Sequence, residues 1–306
     1  MQMMDSFFRE SVKKARHRIW VVSDLQQKDP DRARTCMTKA MEDFLSLDCA
    51  VEAVCYLGDG AEGSNPDHIR EMARMQVDEM RKVQAPVYYV LGNHDFDFFH
   101  AQGGRLALPF LETVRGSWYV PDVTALGYTV DLGELRLCLL TDHGDPEGKW
   151  HTHHGKTDGD RNSYPYDEKD YRAFVEAVGT DKPVISMAHY AFPGGNRAAD
   201  LYRWFMPLPD SFRMHLYGHA HIGDRNWAGV DAFRKYACVD DARILQMDVA
   251  SLETGRGCVI RSVILLYMED GEIGLFSRNH SLRNWDTCLF QSRDDGKYVP
   301  LEGERL

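Results

Sequence analysis

The chain has 306 residues, of which 43% are hydrophobic, so it holds enough apolar material for the core of one large α/β domain. Its formal net charge of −11 argues against a general binder of nucleic acid or of anionic membranes. No apolar run approaches the roughly 18 residues of a membrane span, and the charged residues 1–16 lack the apolar stretch of a signal peptide.

Short apolar runs alternate with amphipathic stretches through residue 221, and this alternation is typical of strands that alternate with helices. The turn Asp29-Pro30-Asp31 predicts the start of one helix, and Pro66 predicts the start of the next. Strands are predicted at residues 19–22, 53–57, 87–91, 135–140, 184–187 and 214–217, with later helices at 166–178 and 197–205.

Two β-hairpins are predicted, one at residues 128–141 with its turn near Gly133 and one at 262–277 with its turn at Asp270-Gly271. Together with the alternating elements, they predict an α/β fold of two packed mixed β-sheets flanked by helices. No repeat, low-complexity tract or interdomain linker is visible. We therefore expect a single domain over residues 1–306, with a motif core at about 18–225 and C-terminal strands and a hairpin at 226–306.

Five of the predicted strands are each followed at once by a short polar motif. In α/β proteins the loops beyond the carboxyl ends of strands are where ligands collect. Carboxylate, amide and imidazole donors suit hard or borderline divalent metals. One such motif alone would be an ordinary cap or turn, but their repetition at strand ends predicts a two-metal site. The motifs are Asp24-Leu25-Gln26, Gly58-Asp59, Gly92-Asn93-His94-Asp95, Ala188-His189 and Gly218-His219-Ala220-His221.

The order D-x-(H/Q), G-D, G-N-H-(D/E), H, G-H-x-H resembles that of the calcineurin-like metallophosphoesterases and covers residues 24–221. The resemblance implies a four-layer sandwich and a two-metal hydrolase of phosphate esters or anhydrides. It implies that Asp59 bridges the metals and that His94 is the general acid, oriented by Glu62 or, alternatively, by Asp95. The further ligands would be Asp24, Gln26 and His221 for the first metal, and Asn93, His189 and His219 for the second.

The chemistry of phosphoryl transfer explains these residue types. Two divalent cations roughly 3.5–4 Å apart bind phosphoryl oxygens and turn a bridging water into a hydroxide that attacks phosphorus in line. A carboxylate such as Asp59 has two oxygens for bridging, and the amide of Asn93 ligates without adding charge. An imidazolium such as His94 can protonate the leaving oxygen. Bound cations also reverse the local sign of an acidic chain, so a small phosphorylated substrate remains compatible with it.

Gln26 departs from the commoner D-x-H pattern. Its carbonyl oxygen is a harder donor than imidazole nitrogen, which favours Mn²⁺ or Mg²⁺ over Zn²⁺ and leaves Fe²⁺ open. The same D-x-Q is similar to that of the manganese-dependent ADP-ribose/CDP-alcohol pyrophosphatases, which would make a nucleotide diphosphate conjugate the substrate. In the alternative interpretation, Gln26 ligates nothing and the first metal binds weakly.

The favoured function is therefore a metal-dependent phosphodiesterase or nucleotide pyrophosphatase. One alternative is a non-catalytic scaffold of the same fold, although His94 and the other ligand types argue for an enzyme. Another is a nuclease, which would need a basic groove that the acidic composition argues against. The seven scattered cysteines, odd in number and without C-x-x-C spacing, predict reduced thiols and a cytoplasmic protein. The histidine-rich segment 142–165 is predicted to be a solvated loop near the metal ligands.

Overall fold

The computed structural model describes residues 2–96, 108–122, 125–140, 168–190, 209–221, 245–255, 258–291 and 298–300. The α-helices in this part are α1 (Gln2–Lys14), α2 (Pro30–Ser46), α3 (Pro66–Met80), α4 (Pro109–Val114) and α5 (Glu168–Val178). The strands are β1 (Ala15–Val22), β2 (Ala53–Tyr56), β3 (Val87–Tyr89), β4 (Gly127–Asp131), β5 (Arg136–Leu140), β6 (Val184–Ala188), β7 (Phe212–Tyr217), β8 (Leu245–Asp248), β9 (Arg261–Met268), β10 (Ile273–Asn279), β11 (Asn284–Gln291) and β12 (Tyr298–Pro300).

The strands form two mixed sheets, as predicted. The first has seven strands in the order β12-β11-β10-β9-β1-β2-β3, with parallel pairing among β1, β2 and β3 and antiparallel pairing elsewhere. The second has the order β4-β5-β6-β7-β8, in which only the β4–β5 hairpin pairs antiparallel. The carboxyl ends of the parallel strands in each sheet consequently lie at a common edge, where a site can form.

Alternating side chains of β1 explain why its second half, Ile19–Val22, is apolar throughout. Ile19 and Val21 belong to the core shared by the two sheets, and Trp20 and Val22 belong to the core between the first sheet and its helices. The Trp20 ring stacks on Phe44 of α2 with centroids 3.9 Å apart. A strand buried on both faces needs a continuous apolar run, in contrast to the alternating pattern of a half-exposed strand.

The predicted helix starts are confirmed by their caps. The side chain of Asp29 accepts a hydrogen bond from Asp31 N at 2.9 Å, with Pro30 in the first turn of α2. The side chain of Asn65 likewise accepts from the backbone of the first turn of α3, which Pro66 begins. These side chains bind backbone N–H groups that have no partner within the helix, which is why both helices begin here.

Both predicted hairpins are confirmed, as β4–β5 and β9–β10. Helix α5 covers the described part of the helix predicted at 166–178. The helix predicted at 197–205 and the loop at 142–165 lie outside the described residues. No helix in the described ranges is long and apolar enough to cross a membrane. One domain over residues 1–306 stays a prediction.

Helix α1 was not predicted, because the charges in residues 1–16 obscured its apolar face. Phe8 is 1% exposed and packs on Phe276 and Trp285, with ring centroids 5.1 Å and 4.4 Å away. The partners lie on β10 and β11, more than 260 residues later in the chain. Contacts at such separations cannot be read from local periodicity.

Candidate metal centre

The polar motifs meet where the two sheets present the carboxyl ends of their parallel strands. Gln26 N donates to Asp59 O at 3.0 Å and so links the loops after β1 and β2. Gly218 N donates to His189 O at 3.2 Å and links the loops after β7 and β6. His219 N donates to Asp24 Oδ2 at 2.9 Å, which joins the second sheet to the first. The motifs thus form one connected site.

Strained backbone turns several of these residues out of their strand direction. Asp24 and Asp59 both have φ of 55°, His219 has 65° and His221 has 46°. Left-handed φ is uncommon in residues other than glycine and costs on the order of 1 kcal/mol or more each. Four of the eight non-glycine residues with positive φ in the described part of the chain are these candidate ligands. Such clustering of strain is typical of functional sites.

Two glycines of the motifs are required by close approach of the carboxylates. A Cβ atom on Gly92 would overlap Asp59 Oδ1 and lie 2.6 Å from Asp59 N. A Cβ atom on Gly218 would overlap Ser23 Oγ and lie 2.5 Å from Asp24 Oδ2. The glycines of G-N-H-D and G-H-x-H are therefore part of the site geometry.

The first predicted ligand group, Asp24, Gln26 and His221, is brought together. His221 Nε2 lies 3.0 Å from Asp24 Oδ1 and 2.6 Å from the side-chain amide nitrogen of Gln26. A half-turn of that amide exchanges its nitrogen and oxygen, so the carbonyl oxygen can take the same position. All three side chains are buried or nearly so.

The second predicted group converges on His189. Its Nε2 atom lies 3.1 Å from Asp59 Oδ2 and 3.1 Å from Asn93 Oδ1. Donor atoms of Asp59, His189 and His219 all lie within 4.8 Å of one another. His189 Nδ1 donates to the Leu57 carbonyl at 2.7 Å, which directs the opposite nitrogen toward the other donors.

The buried carboxylates of this site raise the pKa values of the imidazoles beside them. Burial opposes protonation of His221, but the Asp24 carboxylate, together with Cys258 and Glu253, outweighs burial and raises the pKa of His221 to about 12. In the same way burial is outweighed at His189, where Asp59 and Asp24 raise the imidazole pKa to about 10. The pKa of Asp59 is lowered, because His189 outweighs the effect of its burial.

The donor set fits divalent cations. Asp24 Oδ1 is buried and accepts no hydrogen bond of normal geometry within the described ranges, although His221 Nε2 lies near it. The amide groups and imidazole nitrogens of the candidate ligands lie around the carboxylates of Asp24 and Asp59, both of which are fully buried. A cation in place of the imidazole protons would satisfy both carboxylates, as metal binding to such ligands releases protons.

The three candidates for acid chemistry occupy different positions. His94 is half-buried, and its backbone N donates to Asp59 Oδ1 at 2.8 Å. Asp95 is buried and accepts from Tyr89 OH and Gly92 N, both at 2.7 Å, so its carboxylate braces the loop. Burial, together with Asp59, raises the pKa of Asp95 to about 7. Glu62 lies 3.0 Å from Lys28 Nζ. The roles of His94, Glu62 and Asp95 stay predictions.

Two residues that contact the ligands were missed from sequence. Glu253 Oε1 lies 2.7 Å from His221 Nδ1, and Tyr190 OH donates to Asn93 Oδ1 at 3.2 Å. Glu253 follows β8, whose four residues (Leu-Gln-Met-Asp) are too short and too polar to read as a strand. A carboxylate shortly after another parallel strand would have been the signal.

Solved structures share the fold. A dimetal phosphatase from Danio rerio superposes with a TM-score of 0.58 at 14% identity, covering 87% of this chain and 97% of its own. A purple acid phosphatase from yellow lupin (Lupinus luteus) seeds gives a TM-score of 0.54 at 14% identity. That match covers 88% of this chain but only 52% of the lupin protein. No curated protein matches the chain in sequence.

A family model described as calcineurin-like phosphoesterase matches residues 17–223, which is more than half of the chain and includes all five motifs. The fold and the donor set described above agree with that match. The protein is accordingly a metal-dependent phosphoester hydrolase that uses two divalent metals. The chain belongs to the calcineurin-like phosphoesterase family.

Proposed function

We propose that the enzyme hydrolyses a phosphodiester or pyrophosphate bond in a small substrate of the nucleotide type. The observation that carries this proposal is the convergence of seven candidate ligands at one edge of the two sheets. Among them, the side-chain amide of Gln26 lies 2.6 Å from His221 Nε2. The net charge of −11 supports a small substrate over a long polyanion. A diphosphate conjugate is favoured by the D-x-Q motif.

In this proposal Asp59 would hold both metals, because a carboxylate offers two oxygens. Asp24, Gln26 and His221 hold one cation, and Asn93, His189 and His219 hold the other. The chemistry that bound cations would supply there is neutralisation of the phosphoryl oxygens and a nucleophile near neutral pH. These ligand assignments draw support from the connected contacts of the side chains.

His94 is proposed to hold the proton that the leaving oxygen receives. Its backbone is anchored on Asp59 at 2.8 Å, and its side chain is half-buried, so the imidazole can reach a substrate bound beside Asp59. Glu62, with Asp95 as the alternative, is proposed to orient this imidazole. An imidazolium is an effective proton donor to a leaving oxygen, and this accounts for the choice of histidine.

Manganese is the proposed metal at the first site. Beside Gln26, the protein ligands proposed there are two carboxylates and one imidazole. A ligand shell with a single nitrogen discriminates less in favour of Zn²⁺ than a shell with two nitrogens. Fe²⁺ and Mg²⁺ share the preference of Mn²⁺ for oxygen ligands.

A substrate panel tests the proposal. The chelated protein, reconstituted with Mn²⁺, is assayed on bis-nitrophenyl phosphate, nitrophenyl phosphate, ADP-ribose, CDP-alcohols, cyclic nucleotides and single-stranded DNA. We expect turnover of the diester or pyrophosphate substrates to exceed turnover of the monoester, and we expect no cleavage of DNA. Asp59→Asn is the control, which should lose metal and turnover together. Activity confined to the monoester or to DNA would contradict the proposed substrate class.

A cytoplasmic location is also proposed, on the basis of the cysteines. The six cysteines that the described ranges include are free and buried. Burial raises the pKa of the Cys55 and Cys138 thiols well above the usual range, which keeps them protonated and unreactive. Fractionation of cells that express the tagged protein would test this location.

A further inference from the structure

A buried carboxylate stands behind the first ligand group. Glu253 is 3% exposed and lies in the segment that follows β8. Its Oε1 atom is 2.7 Å from His221 Nδ1, an ion-pair contact whose angle departs from hydrogen-bond geometry. The opposite nitrogen of the same ring, Nε2, is the atom that faces Asp24 and Gln26. Glu253 thus contacts His221 on the side away from the candidate metal.

The Glu253 carboxylate is itself held in place. Gln27, next to the candidate ligand Gln26 and 6% exposed, donates from Nε2 to Glu253 Oε2 at 2.9 Å. Leu252 N donates to Ser23 O at 2.9 Å, which ties the segment to the residue before Asp24. The position of the carboxylate is therefore set by Ser23 and Gln27, the residues on either side of the D-x-Q motif.

We propose that Glu253 is a positioning residue that accepts the Nδ1 proton of His221 and thereby presents Nε2 to the first metal. A carboxylate partner fixes the tautomer and the ring orientation of a ligating histidine and makes its free nitrogen a stronger donor. This role rests on the proposed assignment of His221 as a ligand.

The second site supplies an internal comparison. There His189 Nδ1 donates to the neutral carbonyl oxygen of Leu57. The two candidate sites thus differ, with a charged partner behind His221 and a neutral one behind His189. A change at Glu253 should consequently act on one metal and spare the other, whereas a general loss of structure would act on both.

Glu253→Gln is the informative substitution. Glutamate can accept from both Gln27 and His221, but glutamine has one acceptor oxygen for the two donors. Mn²⁺ binding to the chelated protein is measured by calorimetry, with thermal unfolding of the metal-free protein as the check on folding. We expect two Mn²⁺ per wild-type chain, and one of these bound roughly 10–100-fold more weakly in the variant. Glu269→Gln, at an exposed turn, is the matched control and should bind as wild type does.

A double-mutant cycle with His221→Ala identifies the route of the effect. If Glu253 acts through His221, adding Glu253→Gln to His221→Ala should cause no further loss of metal affinity. A further loss, an equal weakening of both metals, or unchanged binding in Glu253→Gln would each overturn the role. Cys258→Ser should retain wild-type binding. A loss there would also overturn the role, since it would point instead to a metal held by His221, Glu253 and Cys258, whose donor atoms lie within 4.8 Å of one another.

The wild-type stoichiometry separates the two proposals. A wild type that binds two Mn²⁺ while Glu253→Gln stays unchanged overturns the positioning role alone. A wild type that does not bind two Mn²⁺ overturns the ligand assignment, and the positioning role with it.

Discussion

At the scale of single residues, the candidate site depends on backbone that most residues avoid. Asp24 and Asp59 each follow a parallel strand with φ of 55°. The turn brings their carboxylates against His221 and His189 instead of letting them continue along the strand direction. The strain is held by links such as Asp24 N to Gly58 O at 3.1 Å. Stability and site geometry are therefore coupled in these loops.

Gly92→Ala should abolish metal binding while leaving the rest of the fold intact. The added Cβ would overlap Asp59 Oδ1, so the carboxylate must move. We expect loss of metal together with at least 10²-fold lower turnover, a scale known for misplaced catalytic groups. Metal analysis and far-UV circular dichroism check this prediction. Normal metal content in the variant would show that Asp59 is not needed in this position.

His94→Ala should retain both metals but lose turnover. The loss should be roughly 10²–10⁴-fold, the usual contribution of acid–base catalysis. It should shrink on substrates with nitrophenolate as leaving group, because that oxygen needs no proton. Turnover on ADP-ribose and on bis-nitrophenyl phosphate is compared for both proteins. Equal losses on the two substrates would argue against an acid role.

Gln26→His should change which metal supports the best activity. The substitution adds a second nitrogen at the first site, so Zn²⁺ binding should tighten relative to Mn²⁺. Chelated wild type and variant are each reconstituted with Mn²⁺, Mg²⁺, Co²⁺ or Zn²⁺ and assayed. The same metal ranking in both proteins would remove Gln26 from the ligand set and weaken the link to pyrophosphatases.

At the scale of elements, a buried polar network joins α2 to the first sheet. Asp43 on α2 accepts from Arg278 Nε at 2.9 Å and Nη2 at 2.8 Å, and from His280 Nδ1 at 2.9 Å. His280 Nε2 lies 2.7 Å from Ser262 Oγ, which also accepts from Trp20 Nε1. The Ser-His-Asp order is that of a hydrolase triad, but no member is more than 2% exposed. The network therefore fastens a helix to β1, β9 and β10.

This network should make the fold sensitive to acid. Burial opposes ionisation of Asp43, but the hydrogen bonds from Arg278 and His280 outweigh it and lower its pKa to about 2. Burial lowers the pKa of His280. Both groups bind fewer protons when folded than when unfolded, so stability falls as pH drops. The loss of stability that involves His280 begins below about pH 6.5, and the loss that involves Asp43 takes place between about pH 4 and pH 2.

Asp43→Asn should remove the lower step of that pH profile. The pKa shift corresponds to about 2 kcal/mol of folding free energy that is present above pH 4 and lost near pH 2. Urea unfolding at pH 7, 5 and 3 measures it. Glu42→Gln, an exposed neighbour on the same helix, is the control and should follow the wild type. If Asp43→Asn keeps the wild-type acid profile, Asp43 is not the titrating group.

At the scale of the whole molecule, the C-terminal strands complete the sheet that the N-terminal strands begin. β9 pairs with β1 on one side and with β10 on the other, so it connects the parallel strands to the C-terminal hairpins. The site needs β1 to be fixed, because Asp24 and Gln26 follow it directly. Residues outside the family match at 17–223 thus contribute to the position of the candidate ligands.

Deletion of residues 261–306 should therefore unfold the protein, although all five motifs remain. It would expose the edge of β1 and remove the apolar partners Phe276 and Trp285 of α1. We expect insoluble protein or a lost cooperative transition in thermal unfolding. A soluble truncated chain that still binds two metals would contradict both this expectation and the prediction of one domain over 1–306.

Much of this protein was determined by local sequence. The caps at Asp29 and Asn65, the hairpin turns and the apolar strands are decided by neighbouring residues, so they can be read in order along the chain. The five motifs were visible for the same reason, because each ligand type directly follows its strand. Their donor types predicted a metal site, and the resemblance of their order to that of the calcineurin-like metallophosphoesterases implied a two-metal hydrolase.

Only the tertiary structure decided how these pieces face one another. The approach of His221 to Asp24 joins loops from the two sheets, and that of Glu253 to His221 joins two loops of the second sheet. The position of helix α1 is likewise decided by tertiary contacts, among them those of Phe8 with β10 and β11. Such pairings depend on how two sheets pack and on where backbone strain is tolerated. Those are properties of the whole core, and the residues on either side of a motif do not encode them.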